Sequence, residues 1–225
     1  MTRSQLDSTP AASVMAAAPK FDERYRAAAA GDRAQIPWEN GAANPLVVDW
    51  LDHRAADVLR TGARVAVVGC GLGHDARAFA RRGYDVSAFD VSPAAIEWAK
   101  SIDPEWSEIF SVADLFELPS RWKRRFDLVV EVYTVQALPP ATRKTSLAAI
   151  ESLLHPHGAL LFVCRGADRP QQLDDGPPWA LTVDELRDLA SGAGLAAPDG
   201  FELVTDDEDP PKRRIRALFR RTTAR

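Results

Sequence analysis

A β-branched apolar run, Arg64-Val-Ala-Val-Val68, enters the glycine-dense turn Gly69-Cys-Gly-Leu-Gly-His-Asp75. A helical pattern follows, and a second apolar run, Tyr84-Asp-Val-Ser-Ala-Phe-Asp-Val91, carries a carboxylate at its end. This order predicts one βαβ unit, with strand 64–69, helix 74–82 and strand 85–90, and a ligand seated at the turn. Gly69, Gly71 and Gly73 permit positive φ and let a ligand approach backbone amides with no Cβ in the way, Cys70 lying between them. Asp90, followed by Val91, stands about twenty residues beyond the turn, where a second strand presents an acid to ribose hydroxyls.

The glycines alone leave the ligand open, because Gly71-Leu-Gly-His-Asp-Ala76 also fits the looser dinucleotide form of an NAD(P)-dependent oxidoreductase. Asp75 weighs against that reading: a carboxylate just inside the helix start would repel a pyrophosphate. A cationic sulfonium with an amino-acid tail meets no such conflict. Further along, Val112-Ala-Asp-Leu-Phe116 places Asp114 and Leu115 after a third apolar run, where the acid can meet an adenine amino group. Phe126-Asp-Leu-Val-Val-Glu-Val-Tyr133 predicts a fourth strand with Glu131 near its end. The acids after successive strands form a ligand track.

The arrangement resembles the class I S-adenosylmethionine (SAM)-dependent methyltransferases over roughly residues 35 to 221. Within them, Ile36-Pro-Trp-Glu-Asn-Gly-Ala-Ala-Asn-Pro45 is similar to the segment before the first core strand of thiopurine and thiol/halide methyltransferases. The glycine loop with its His74-Asp75 pair resembles theirs, as do Leu138-Pro-Pro-Ala-Thr-Arg143 and Gly176-Pro-Pro-Trp179, the latter a loop over the acceptor pocket. The resemblance implies a Rossmann-like α/β fold: a mostly parallel seven-stranded sheet with an antiparallel C-terminal hairpin and helices on both faces. It implies SAM as cofactor, S-adenosylhomocysteine as product and a small-molecule acceptor, most simply a thiol or other soft nucleophile. Trp38 could cover the methionine end of SAM or anchor the N-terminal segment. Glu131, Tyr133 and Arg165 would border the reacting groups. Tyr133 and Gln136 could equally open the following helix, and Arg165 could make a surface ion pair. Thiopurine methyltransferases carry an aspartate-arginine pair where this chain has Glu131-Val132, so their substrate-pocket arginine is missing.

With 46% hydrophobic and 27% charged residues in 225, the chain has the material for one α/β domain, and no apolar run reaches the ~18 residues of a membrane span. A net charge of −4 argues against nucleic-acid binding. The run Lys212-Arg-Arg-Ile-Arg216 reads as the flank of an edge strand. Cys70 and Cys164, the two cysteines, suit a reduced cytoplasm, and the abundance of arginine and alanine suggests a bacterial source. His53, His155 and His157 have no cysteine or carboxylate at metal-ligand spacing. The expected organisation is a disordered tail over 1–20, a helical lid over 21–60 and a SAM-binding core over 61–225, most simply as a monomer.

Beyond the first unit the pattern predicts helices over 21–31, 44–59, 93–101, 140–154 and 182–191. Strands are predicted over 108–112, 127–133 and 159–164, with a closing hairpin of 201–204 and 215–219. No Ser-His-Asp or Cys-His arrangement is discernible. A thiolate or halide needs no base, whereas a natural-product or quinol oxygen would. A SAM-binding scaffold without catalysis has the same core pattern.

Overall fold

The computed structural model describes residues 18–196, 198, 200–206 and 209–222. Of the tail expected over 1–20, residues 1–17 lie outside the described residues, and residues 18–20 open helix α1 (Ala18–Ala29). The helix expected over 44–59 is two: α2 (Pro45–His53) and α3 (Ala55–Val58), separated at Arg54. Asn44 caps α2 by accepting the Leu46 N–H at 2.9 Å, Pro45 takes the first position, where its missing donor costs nothing, and Val47, Trp50 and Leu51 form its buried stripe. Helices α4 (His74–Ala80), α5 (Pro93–Ile102), α6 (Arg143–Leu153) and α7 (Val183–Gly192) follow the expected positions. Ser92 caps α5, and Thr182 with Glu185 forms a reciprocal capping box on α7.

Eight strands form one sheet: β1 (Arg64–Val68), β2 (Asp85–Asp90), β3 (Phe110–Val112), β4 (Phe126–Val132), β5 (Leu154–Arg165), β6 (Leu195–Ala196), β7 (Glu202–Thr205) and β8 (Arg213–Arg221). The order is β3-β2-β1-β4-β5-β8-β6, with β7 also paired to β8. The first five strands are parallel, and β8 runs antiparallel to β5. The expected count of seven is corrected to eight, because β6 has only two residues, too few for any periodicity to register. Strands β6 and β7 share one edge: Leu195 and Ala196 pair with Arg221 and Arg220, while Glu202 to Thr205 pair with Arg216 to Arg213.

Period-two alternation divides the core. Val65, Val67, Leu128, Val130, Leu161 and Val163 pack toward α2, α4 and α5; Ala66, Val68, Val129, Leu160 and Phe162 pack toward α6 and α7. The strand order reverses between β1 and β4, which opens a crevice at their carboxyl ends. Among the described residues no helix is long and apolar enough to cross a membrane.

Candidate active site

The turn after β1 is left-handed at each glycine, with φ of +58° at Gly69, +51° at Gly71 and +78° at Gly73. All three also admit close neighbours, the Phe110 ring lying against Gly73. A Cβ on Gly69 would strike the Thr134 side chain, whose hydroxyl donates to Val68 O at 3.2 Å, so the loops after β1 and β4 touch. A Cβ on Gly71 would lie 2.7 Å from the Tyr25 hydroxyl, which α1 brings onto the loop. Asp90 is the internal clamp of this cradle: one carboxylate oxygen accepts Gly71 N–H and the other Ser92 N–H, each at 2.9 Å. Burial raises its pKa, and the backbone amides pull it back. An ionised carboxylate offers about four acceptor sites, so acceptor capacity remains beyond these amides.

The N-terminal segment is fastened over this loop. Asp22 accepts from Ser92 Oγ at 2.8 Å and from Ala94 N–H at 2.9 Å, tying α1 to the head of α5. Trp38 Nε1 donates to Tyr25 Oη at 3.2 Å, and the indole, 42% exposed, meets Phe21 and Tyr25 edge-on. Glu39 pairs with His74 at 3.0 Å. Asp75, expected beside the ligand, accepts Asn44 N–H at 2.7 Å through one carboxylate oxygen; burial pushes its pKa up to about 6.

Toward β3, Ala113 N–H donates to Asp90 O at 3.0 Å and brings Asp114 beside the cradle; Asp114 accepts Phe116 N–H at 2.8 Å, and Leu115 is buried. Val91 directly follows the clamp residue. Across the crevice, Glu131 is fully buried. Its Oε1 accepts Val135 N–H at 2.7 Å, its Oε2 has no partner among the described residues, and burial pushes its pKa up to about 8. Tyr133 stands at φ +63° with its ring 5.2 Å from the Arg214 guanidinium. Gln136 is buried and joins two loops: Oε1 accepts Arg165 N–H at 2.6 Å, and its carbonyl accepts Trp179 N–H at 2.8 Å. The Arg165 side chain is half-buried and makes no ion pair with any described carboxylate.

The structure thus gathers Gly69, Cys70, Gly71, Gly73, Asp90, Val91, Asp114 and Leu115 on the β1–β3 side, and Glu131, Tyr133 and Arg165 on the β4–β5 side. Sequence reasoning did not single out Asn44 or Thr134 as site residues. The Asn-Pro cap signature marks Asn44 as a helix start, and nothing local marks Thr134. The residues suit SAM: Asp90 at the end of β2 and Asp114 just past β3 would meet a ligand rich in hydroxyl and amino donors, and the buried Glu131 Oε2 has no partner among the described residues.

The profile of the thiopurine S-methyltransferase (TPMT) family matches residues 29–197. Thiocyanate methyltransferase 1 of Brassica oleracea is 29% identical over 177 residues, which is 77% of this chain and 72% of that protein. A ubiquinone biosynthesis O-methyltransferase of Xanthomonas campestris pv. campestris (strain B100) is 32% identical over 123 residues, 54% of this chain and 49% of that protein. In fold, the chain superposes on Burkholderia thailandensis 1,6-didemethyltoxoflavin-N1-methyltransferase, solved with its substrate and S-adenosylhomocysteine, with a TM-score of 0.74 at 22% identity, covering 96% of this chain and 91% of that one. The Rossmann-like methyltransferase fold expected from the sequence agrees with this neighbour. The family match spans well over half of the chain, and the protein belongs to the thiopurine S-methyltransferase family, with SAM as its methyl donor.

Proposed function

We propose that the protein methylates a small-molecule acceptor that brings its own nucleophilicity, a thiol or another soft nucleophile. When bound, SAM supplies an electrophilic methyl whose thioether leaving group needs no proton. Gly69, Gly71 and Gly73 would shape its bed, Asp90 would take ribose hydroxyls, Asp114 and Leu115 the adenine, and Glu131, Tyr133 and Arg165 would border the acceptor. The segment carrying Tyr25 and Trp38 would act as a lid that excludes water from the aligned reactants. The NAD(P) and scaffold readings are less well supported, since the family match points to methyl transfer.

One observation carries the choice of a soft acceptor: the titratable groups on the β4 side are poor bases at neutral pH. Glu131 keeps its proton until about pH 8 with one oxygen turned into its own loop, and burial raises the Tyr133 pKa. An alcohol would need a base there, whereas a thiol ionising near the working pH supplies its own thiolate. The similarity to a thiocyanate methyltransferase supports the same reading. With saturating SAM, aromatic and aliphatic thiols should be methylated with a pH profile that follows each thiol's own ionisation, and phenols of the same shape should be nearly inert. A phenol or hydroquinone that outperforms every thiol and thiocyanate would overturn the soft-acceptor assignment.

A further inference from the structure

The acids of the crevice suit the hydroxyl and amino donors of SAM, but its α-carboxylate is an acceptor and needs donors in return. By the strand order β3-β2-β1-β4, a cofactor with adenine at Asp114 and ribose at Asp90 carries its methionine tail over the glycine turn after β1. Three amides of that turn are already spent within the protein. Cys70 N–H donates to Phe89 O at 3.0 Å, Gly71 N–H to Asp90 at 2.9 Å and Gly73 N–H to Cys70 O at 2.8 Å. The turn therefore needs a donor from elsewhere.

The Tyr25 hydroxyl lies over the same turn, where a Cβ on Gly71 would be 2.7 Å from it. Helix α1 is fixed to deliver it there: Tyr25 and Ala28 belong to a buried cluster with Leu72 of the turn and Ala95 of α5, and Asp22 bonds the head of α5. Trp38 Nε1–H can only donate, so at 3.2 Å it takes a lone pair of the phenol oxygen and leaves the phenol's own proton unused. That proton meets no acceptor among the described residues, although the side chain is only 5% exposed. A buried donor without an acceptor costs free energy that a ligand can recover. Burial also pushes the Tyr25 pKa up, so the hydroxyl keeps its proton at neutral pH.

We propose that the Tyr25 hydroxyl is a cofactor ligand that donates a hydrogen bond to the α-carboxylate of SAM, and that Trp38 is the positioning residue that aims this proton at the cofactor. Tyr25 lies ahead of residues 29–197, so the family match does not carry this assignment. The inference rests on adenine at Asp114 and ribose at Asp90, and it adds the contact that fixes the other end of the cofactor.

The test uses the full chain and two probes in displacement calorimetry: S-adenosylhomocysteine, and its decarboxylated analogue, which keeps the adenosine, thioether and amine. Tyr25→Phe leaves the ring in its packing and should weaken S-adenosylhomocysteine about tenfold while sparing the analogue. Trp38→Phe should weaken S-adenosylhomocysteine by a smaller factor, again sparing the analogue, and should add nothing in the Tyr25→Phe background. Asp90→Ala is the control on placement and should weaken both probes alike. A Tyr25→Phe protein that binds both probes like the parent, or loses the same factor on both as a lid or packing role alone would give, overturns this inference while the placement stands. Losses that multiply in the double variant overturn the positioning role of Trp38. Unchanged affinity for both probes in Asp90→Ala, or a parent that binds neither, overturns the placement and this inference with it.

Discussion

The two sides of the crevice are built differently. On the β1–β2 side the backbone is strained only at glycines, and its amides are already satisfied from within, Asp90 holding Gly71 and Ser92. On the β4–β5 side a tyrosine carries the positive φ, a buried carboxyl has an orphaned oxygen, and an arginine lacks an ion-pair partner among the described residues. The contrast teaches that a bed for a fixed cofactor can be completed by the protein itself, whereas a pocket for a variable acceptor leaves its polar groups for the ligand to complete.

The sharpest way to break this division is at the point where the two sides touch. Gly69→Ala should cost roughly 2–4 kcal/mol of stability, from the left-handed backbone and the clash with Thr134 together. Adding Thr134→Ala should recover the clash component in denaturant melts and leave the backbone component. Full recovery would mean that the loop can change its conformation, contrary to a rigid bed.

Asp90→Ala addresses the cofactor side alone. Loss of charge-assisted bonds to the ribose should weaken S-adenosylhomocysteine binding by about 1.5–3 kcal/mol. Stability should fall as well, because the Gly71 and Ser92 amides also lose their acceptor. An unchanged dissociation constant in calorimetry would remove Asp90 from the binding site.

Glu131 reports on the acceptor side. Its pKa in the fold is raised from 4.5 to about 8, so between those values the folded protein holds a proton that the unfolded chain has released. Stability should therefore fall as pH rises through that window, by up to about 1.4 kcal/mol per pH unit from this group, and level off above it. Glu131→Gln should flatten the slope, and equal slopes in variant and parent would show that the carboxyl is ionised in the fold. The smallest effect is expected for Trp38→Ala: the indole is 42% exposed, so stability should change by less than about 1 kcal/mol, while turnover falls as the lid admits water. Parental turnover would count against the lid.

Legibility followed the same division. The β1–β2 side is local: a strand, three glycines, a helix and an acid within 28 residues of chain, each announced by composition or period, so the sequence places them well. The outlines of β3, β4 and the C-terminal hairpin were also readable. Strand β5 begins at Leu154, not residue 159, because His155-Pro156-His157 carries no apolar signal, and α2 and α3 part at Arg54 inside an unbroken helical pattern. The unreadable contacts are long-range. Asp75 with Asn44, Asp22 with Ser92, and Thr134 against Gly69 join residues 31, 70 and 65 apart, and no periodicity encodes a partner at such distances.

The placement of β8 has a consequence for how the chain reaches this state. Leu160 to Cys164, wholly buried in the finished sheet, take their second neighbour from residues 215–219, made some fifty residues later. During synthesis, this buried apolar stretch therefore waits with one hydrogen-bonding edge open, a template for pairing with another nascent chain. Closing it also joins distant segments, which slows folding. Chains that stop short of Arg213 should accumulate as aggregates even though every residue of the cofactor bed has already been made.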